Sequence, residues 1–222
     1  MKLAHPLLSA PIEIHENEIP VLVIEHPILY RNLISVLMQQ LDGEDGPFVL
    51  SNRNETLPIA KSLDLVTDTF HFSLQSKKIS AWLKQAAAAT ESAQNEESYR
   101  MLAIINEWIG NIICEMDHNV TYAPLEHCVD LLDVFHLRID TEDMSLPEQM
   151  LEYMRLLRQT ESKKLFIWVN VHACLTHEEL DLLYKSIFYE KLQVLLIEST
   201  QPETAHIAES PRIIDSDLCE IG

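Results

Sequence analysis

Two apolar runs rich in β-branched and aromatic residues, LFIWVNV (165–171) and LQVLLIE (192–198), flank the segment THEELDLLYKSIFYE (176–190), whose leucines recur at helical spacing. Continuous apolar runs of this length are strands buried on both faces. Two such strands joined by one helix and short links must lie parallel, with a right-handed crossover. This unit places the chain among open α/β folds, where ligands tend to sit at the strands' carboxyl ends.

VLVIE (21–25) is a third buried strand. His26 and Pro27 open a helix through ILYRNLISVLMQQL, with apolar positions at Leu29, Leu33, Val36, Leu37 and Leu41, and DGEDGP (42–47) ends it. FVL (48–50) and LDLVT (63–67) are short strands. From about Ser76 to Leu132 the period changes to that of helices. KKISAWLKQAAAA and YRMLAIINEWIGNIICEM are two of them, TESAQNEES (90–98) is the loop between, and LEHCVDLLDVF is a shorter third. Ser145 and Glu148 form an S-x-x-E capping box, with Pro147 in the first turn of the helix that follows. PRIIDSDLCEI (211–221) adds an edge strand. The expected organisation is an α/β core from 1–70 and 145–222, carrying an inserted helical lobe at 71–144. Trp82, Trp108 and Trp168 sit on apolar faces and are expected in the core.

Four glycines in 222 residues leave no G-x-x-x-x-G-K-[ST] and no G-x-G-x-x-G. A phosphate cradle needs such backbone, so nucleotide-driven catalysis is not expected. G-x-S-x-G and H-E-x-x-H are absent as well. The N-terminus lacks the apolar stretch of a signal peptide, no run is long enough to cross a membrane, and Cys114, Cys128, Cys174 and Cys219 form no C-x-x-C pair. A reduced, cytoplasmic protein is the expectation.

HACLTHE (172–178) carries an H-x-C-x-x-H spacing. Read as chemistry, His172, Cys174 and His177 would hold zinc in a metal-dependent hydrolase, with Glu178 as a fourth ligand. Read as structure, Thr176 and Glu179 form a capping box, Leu175 and Leu180 a hydrophobic staple, and the acids favour the helix N-terminus. The structural reading is preferred because every part of it has its own mechanism.

The formal net charge is −19, which argues against non-specific polyanion binding by the chain as a whole. Two stretches run against that balance. SKKISAWLK carries Lys77, Lys78 and Lys84; RLLRQTESKK carries Arg155, Arg158, Lys163 and Lys164. Nucleic-acid binding follows the local field, although cations near a helix C-terminus also complement its dipole.

LLSAPIEI, VLVIEHPILYRNLI, LRIDTEDMSLPEQMLEYMRLL, SKKLFIWVNV, LTHEELDLLYKSIFYEKLQVLLIES and IIDSDLCEI, in this order over almost the whole chain, resemble the CRISPR-associated accessory family of type II-A systems that takes part in acquiring new spacers. The resemblance implies an ATPase-like α/β core with a mixed or parallel sheet and no nucleotide loop, a helical lobe, and a calcium-stabilised homotetrameric ring. It implies that double-stranded DNA enters the ring's lysine-lined hole from its ends. Other CRISPR adaptation and effector proteins are the implied partners, and no enzymatic activity is implied. The family's S-K-K matches Ser162, Lys163 and Lys164, which makes these two lysines the first DNA contacts, with Arg155 and Arg158 second and Lys77, Lys78 and Lys84 third. Calcium ligands would come from Glu115, Asp117, Glu126, Asp140, Asp143 and Glu148. Where relatives carry a dense acidic run after the long helix, this chain has HNVTYAP. A scaffold that binds proteins alone is the other alternative.

Overall fold

The computed structural model describes residues 1–91, 95–202, 204 and 206–221. The strands are β1 (Lys2–Ala4), β2 (Ile12–Glu13), β3 (Ile19–Ile24), β4 (Val49–Asn52), β5 (Glu55–Leu57), β6 (Leu63–Val66), β7 (Leu165–Val169), β8 (Val194–Glu198), β9 (Glu209–Ile214) and β10 (Glu220–Ile221). The helices are α1 (Pro27–Leu41), α2 (Ile59–Ser62), α3 (Lys77–Glu91), α4 (Asn95–Cys114), α5 (Leu132–Phe135), α6 (Leu146–Thr160) and α7 (His177–Glu190). The chain divides into two compact units, 1–73 with 141–222, and 74–140.

The first unit is a mixed α/β structure. Its six-stranded sheet has the order β10-β9-β3-β8-β7-β6, parallel throughout except for the terminal pair β9–β10. β7 and β8 pair in parallel, Phe166 opposite Val194, with α7 as the crossover. Alternation along the strands splits the core in two. Val21, Val23, Phe166, Trp168, Val194 and Leu196 face Met150, Met154, Leu157, Leu180, Leu183 and Ile187 of α6 and α7. Leu22, Ile24, Leu165, Ile167, Leu195 and Ile197 face Leu33 and Leu37 of α1, and Leu3 and Leu50. Each buried aliphatic side chain contributes roughly 1.5–3 kcal/mol of transfer free energy. Trp168 joins Phe72 and Tyr153 in an edge-to-face cluster, with centroids 5.1 to 5.9 Å apart.

Local signals are realised. Ser145 N–H and Oγ donate to Glu148 at 2.7 and 2.6 Å. Glu179 N–H donates to Thr176 Oγ1 at 3.3 Å, and Thr176 N–H returns a 2.8 Å bond to the Glu179 carboxylate. Leu175 and Leu180 are buried beside this cap. His26 caps α1 by accepting Leu29 N–H on Nδ1 at 3.3 Å.

Several expectations are corrected. The segment read as one edge strand forms two. β9 lies inside the sheet beside β3, and only β10 is at the edge. The first unit also holds an antiparallel sheet, order β2-β1-β4-β5, in which the expected FVL strand is realised as β4 and the other three are too short to register as a pattern. LEHCVDLLDVF is a 3₁₀ turn (Cys128–Leu131) followed by the single turn of α5. The expected loop 90–98 is largely helical at both flanks, and its residues 92–94 lie outside the described residues. Trp168 is in the core, but Trp82 is half-buried and Trp108 is 61% exposed. The apolar side of α4 is wider than the unit 74–140 covers. Leu102 is buried, whereas Met101, Ile104, Trp108 and Ile112 form an exposed stripe at helical spacing.

Candidate nucleic-acid interface

Three segments of the first unit converge at the amino ends of β7 and β8. α6 ends at Thr160, and Ser162 takes a left-handed conformation (φ 57°) that turns the chain into β7. α7 ends at Glu190, and Lys191 after it, also left-handed (φ 54°), hands the chain to β8. The β4–β5 hairpin turns on Arg53 and Asn54, both at positive φ (48° and 66°), the signature of a two-residue turn matched to strand twist.

Between them lies a cleft of about 650 Å³. Arg53, Arg158, Lys163, Lys164 and Lys191 line it, five of the chain's 16 basic residues, against Glu16 as the one lining acid. The C-termini of α6 and α7 each add about half a negative charge. Arg158 faces the Glu190 carboxylate at 3.8 Å and Lys191 faces Glu16 at 3.9 Å, so the cations of the cleft outnumber its acids but are partly paired.

The two adjacent lysines have different roles. Lys163 is 8% exposed, and its Nζ donates to the carbonyls of Ala60 at 2.8 Å and Leu63 at 2.7 Å. It pins α2 and β6 to the start of β7. Its charge also acts on Asp64, whose carboxyl burial raises while Lys163 pulls it down. Lys164 is exposed, and like Arg53 its cationic head has no partner among the described residues. Arg158 Nη1 donates to Glu190 O at 2.8 Å. Arg155 points elsewhere: Nε donates to Glu190 at 2.6 Å, Nη1 to Glu152 at 3.2 Å, and Nη2 pairs with Glu190, which ties α6 to α7. Arg53 and Lys191 were missed by the sequence reading because each is a lone cation in its own segment.

The third-ranked lysines belong to the other unit. Lys77 and Lys78 are exposed on the first turn of α3. Lys84 lines a separate concavity with Phe135, His136 and Arg138.

At the opposite, carboxyl ends of β7 and β8, HACLTHE does not assemble into one centre. His172 Nε2 lies 2.9 Å from Glu209 Oε1, and Nδ1 lies 3.0 Å from Glu198 Oε1. Burial pushes His172 down, but the two carboxylates outweigh it and raise it to about 9. Cys174 Sγ leans on Asn170 O at 3.7 Å, and His177 packs its ring against His206. The Asn170 side chain fixes the neighbouring loop, accepting from Ser199 N–H and Oγ at 2.9 Å.

The expected calcium ligands divide between the two units, Glu115, Asp117, Glu126 and Asp140 in 74–140 and Asp143 and Glu148 in the other. Among the described residues, no three His, Cys, Asp or Glu side chains come together as a metal site requires. Glu148 is committed to the α6 cap, while Glu115, Asp117, Glu126, Asp140 and Asp143 are exposed. Calcium wants six or more oxygens in one place.

A largely parallel α/β sheet with a cation-lined cleft at its amino ends, and with no glycine-rich phosphate loop in the sequence, defines an α/β protein with a basic cleft. The family model for the CRISPR-associated protein Cas_Csn2 matches residues 40–218. The chain belongs to this family of CRISPR-associated proteins. It is similar to the CRISPR-associated protein Csn2 of Streptococcus agalactiae, at 24% identity over all of this chain and 98% of that one. It is also similar to that of Enterococcus faecalis, at 25% identity over 89% of this chain and 90% of that one. A solved ABC transporter ATP-binding protein from Pyrococcus furiosus aligns over 91% of this chain and 88% of its own, at 10% identity and a TM-score of 0.38. Among the described residues no helix is long and apolar enough to cross a membrane.

Proposed function

We propose that the protein binds double-stranded DNA at its ends without reading sequence, as a non-enzymatic homotetramer acting in spacer acquisition with other CRISPR proteins. The observation that carries this reading is the convergence of Arg53, Arg158, Lys164 and Lys191 on one cleft, in a chain of net charge −19. Cations held on turns and helix ends contact phosphate and carry no base information. Repeating the cleft in each copy multiplies the phosphates neutralised on one duplex. Affinity then falls with salt at a log–log slope of about −0.9 per phosphate. The exposed stripe Met101, Ile104, Trp108 and Ile112 supports self-association, since a bare apolar face is stabilised by a partner.

The test is a gel shift of linear against closed circular duplex over a salt series. Linear DNA should bind and circles should not, and Arg53→Glu with Lys164→Glu should remove the shift. Equal binding of closed circles would sink the end-binding reading.

A further inference from the structure

The cleft is concave, and that bears on which phosphate it takes. A phosphate inside a duplex is a diester on a convex surface, with one charge and two free oxygens. A phosphate at a strand terminus is a monoester that projects from the end, carries about −1.5 to −2 charges at neutral pH and offers three oxygens. A volume of about 650 Å³ is that of a small-molecule site, more than a grazing contact with a backbone needs.

The lining suits such a group. Arg53 offers a planar donor fork, the geometry that pairs with phosphate oxygens through two parallel bonds, while Arg158 lines the cleft with its own fork turned to Glu190. Lys164 and Lys191 add point charges, and Ser162 and Asn52 add neutral donors. Glu16 stands 3.9 Å from Lys191 and the two partly offset each other, which leaves Arg53 and Lys164 as the main charges facing a phosphate. Phe166 is buried in the floor and leaves no open benzene face for a base. This composition counts charge and oxygens rather than identifying a base.

The geometry points to the cleft as a pocket for the phosphomonoester at a DNA strand terminus. This rests on the duplex-binding reading and adds to it a reason for preferring ends: the occupant exists only where a strand stops. Arg53 and Lys164 hold the terminal phosphate, while the diesters behind it lie along the rim.

The experiment compares one linear duplex carrying a 5′-phosphate, a 3′-phosphate or only hydroxyl ends, by fluorescence anisotropy at fixed ionic strength. Inorganic phosphate and a nucleoside monophosphate serve as competitors. A duplex phosphorylated at one terminus should bind about tenfold tighter than the hydroxyl-ended one. Arg53→Ala with Lys164→Ala should erase that ratio, and Lys185→Ala, whose ammonium pairs with Asp181 on α7, should keep it. Equal affinity for all three duplexes overturns the terminal-phosphate assignment and leaves the duplex-binding reading standing. A ratio that survives the double substitution also overturns it, since the phosphate would then be read elsewhere. If the free monophosphate binds as tightly as the phosphorylated end, the occupant is a free nucleotide and the DNA-end assignment falls. If no linear duplex binds at all, the duplex-binding reading itself fails.

Discussion

His172 Nε2 sits 2.9 Å from Glu209 Oε1, joining the turn after β7 to the first residue of β9. Tyr184 OH donates to the same oxygen, and His206 N–H donates to the other at 3.1 Å. On the far side of the ring Glu198 completes the sandwich. The histidine that stood out as a metal ligand in the sequence is therefore an imidazolium cross-link between three parallel strands.

A pH dependence follows. His172 is raised from its ordinary value near 6.5 to about 9, so the folded state holds its proton more tightly than the unfolded chain. Its contribution, at most about 3 kcal/mol from the size of that shift, is fully present below pH ~6.5 and is lost as pH rises through about 9. Glu209 is held below its usual range by His172 and Tyr184 despite burial, and its contribution is lost at the acid end instead. Urea melts of the protein and of His172→Gln, taken from pH 6 to 10, should converge as pH rises. A stability gap that stays constant across that range would mean the proton on His172 is not what stabilises the fold.

Lys163 and Lys164 should separate cleanly. Lys163→Met leaves the Ala60 and Leu63 carbonyls without their charged donor, at a cost of about 1.5–3 kcal/mol. Lys164→Ala, at an exposed position, should change stability by about 0.5 kcal/mol or less while weakening DNA binding. Chemical denaturation paired with an anisotropy titration reads both. Two equal destabilisations would contradict the division of labour.

Gly46 is needed for a packing reason. A Cβ there would lie 2.5 Å from Gln40 Cγ and Cδ. Gln40 cannot swing aside freely, because its buried amide exchanges two hydrogen bonds with the Phe48 backbone, 2.9 and 3.1 Å long. Gly46→Ala should therefore cost about 1–3 kcal/mol, the range for leaving such groups unsatisfied. Gly43→Ala is the comparison: nothing crowds that site, and the cost there comes from its positive φ of 98° alone. Thermal melts should rank the two substitutions by mechanism, with Gln40→Ala softening the effect at Gly46 and not at Gly43.

What the sequence revealed depended on range. The β7–α7–β8 unit, the caps at Ser145 and Thr176 and the staple of Leu175 with Leu180 are local patterns, each carried by one continuous stretch of chain. The antiparallel sheet depends on Lys2 pairing with Ser51 as well as with Glu13, and the first of these joins residues that no short window along the chain contains. The cleft likewise gathers Arg53, Arg158 and Lys191 from three segments. At Lys163 the residue type suggested a surface charge, whereas the carbonyls of a distant helix and strand draw the ammonium inward. Trp108 shows another limit: periodicity marks the apolar face of α4 but does not tell whether the same chain covers it.

That uncovered face carries the last prediction. Met101, Ile104, Trp108 and Ile112 occupy one stripe of α4, between 42% and 67% exposed. A substitution there removes little intrachain packing, so Ile104→Lys with Trp108→Lys should leave the fold's stability within about 1 kcal/mol. If self-association uses this stripe, two buried charges per copy would be left unpaired in the assembly, a severe penalty. Light scattering coupled to gel filtration should then show the variant shifted to a smaller species at equal concentration, with an unchanged far-UV spectrum. Its DNA affinity should fall together with its mass, and the salt slope should become shallower as fewer clefts meet one duplex. A variant that keeps its mass would place the self-association surface elsewhere. One that loses mass but keeps its salt slope would separate assembly from DNA binding altogether.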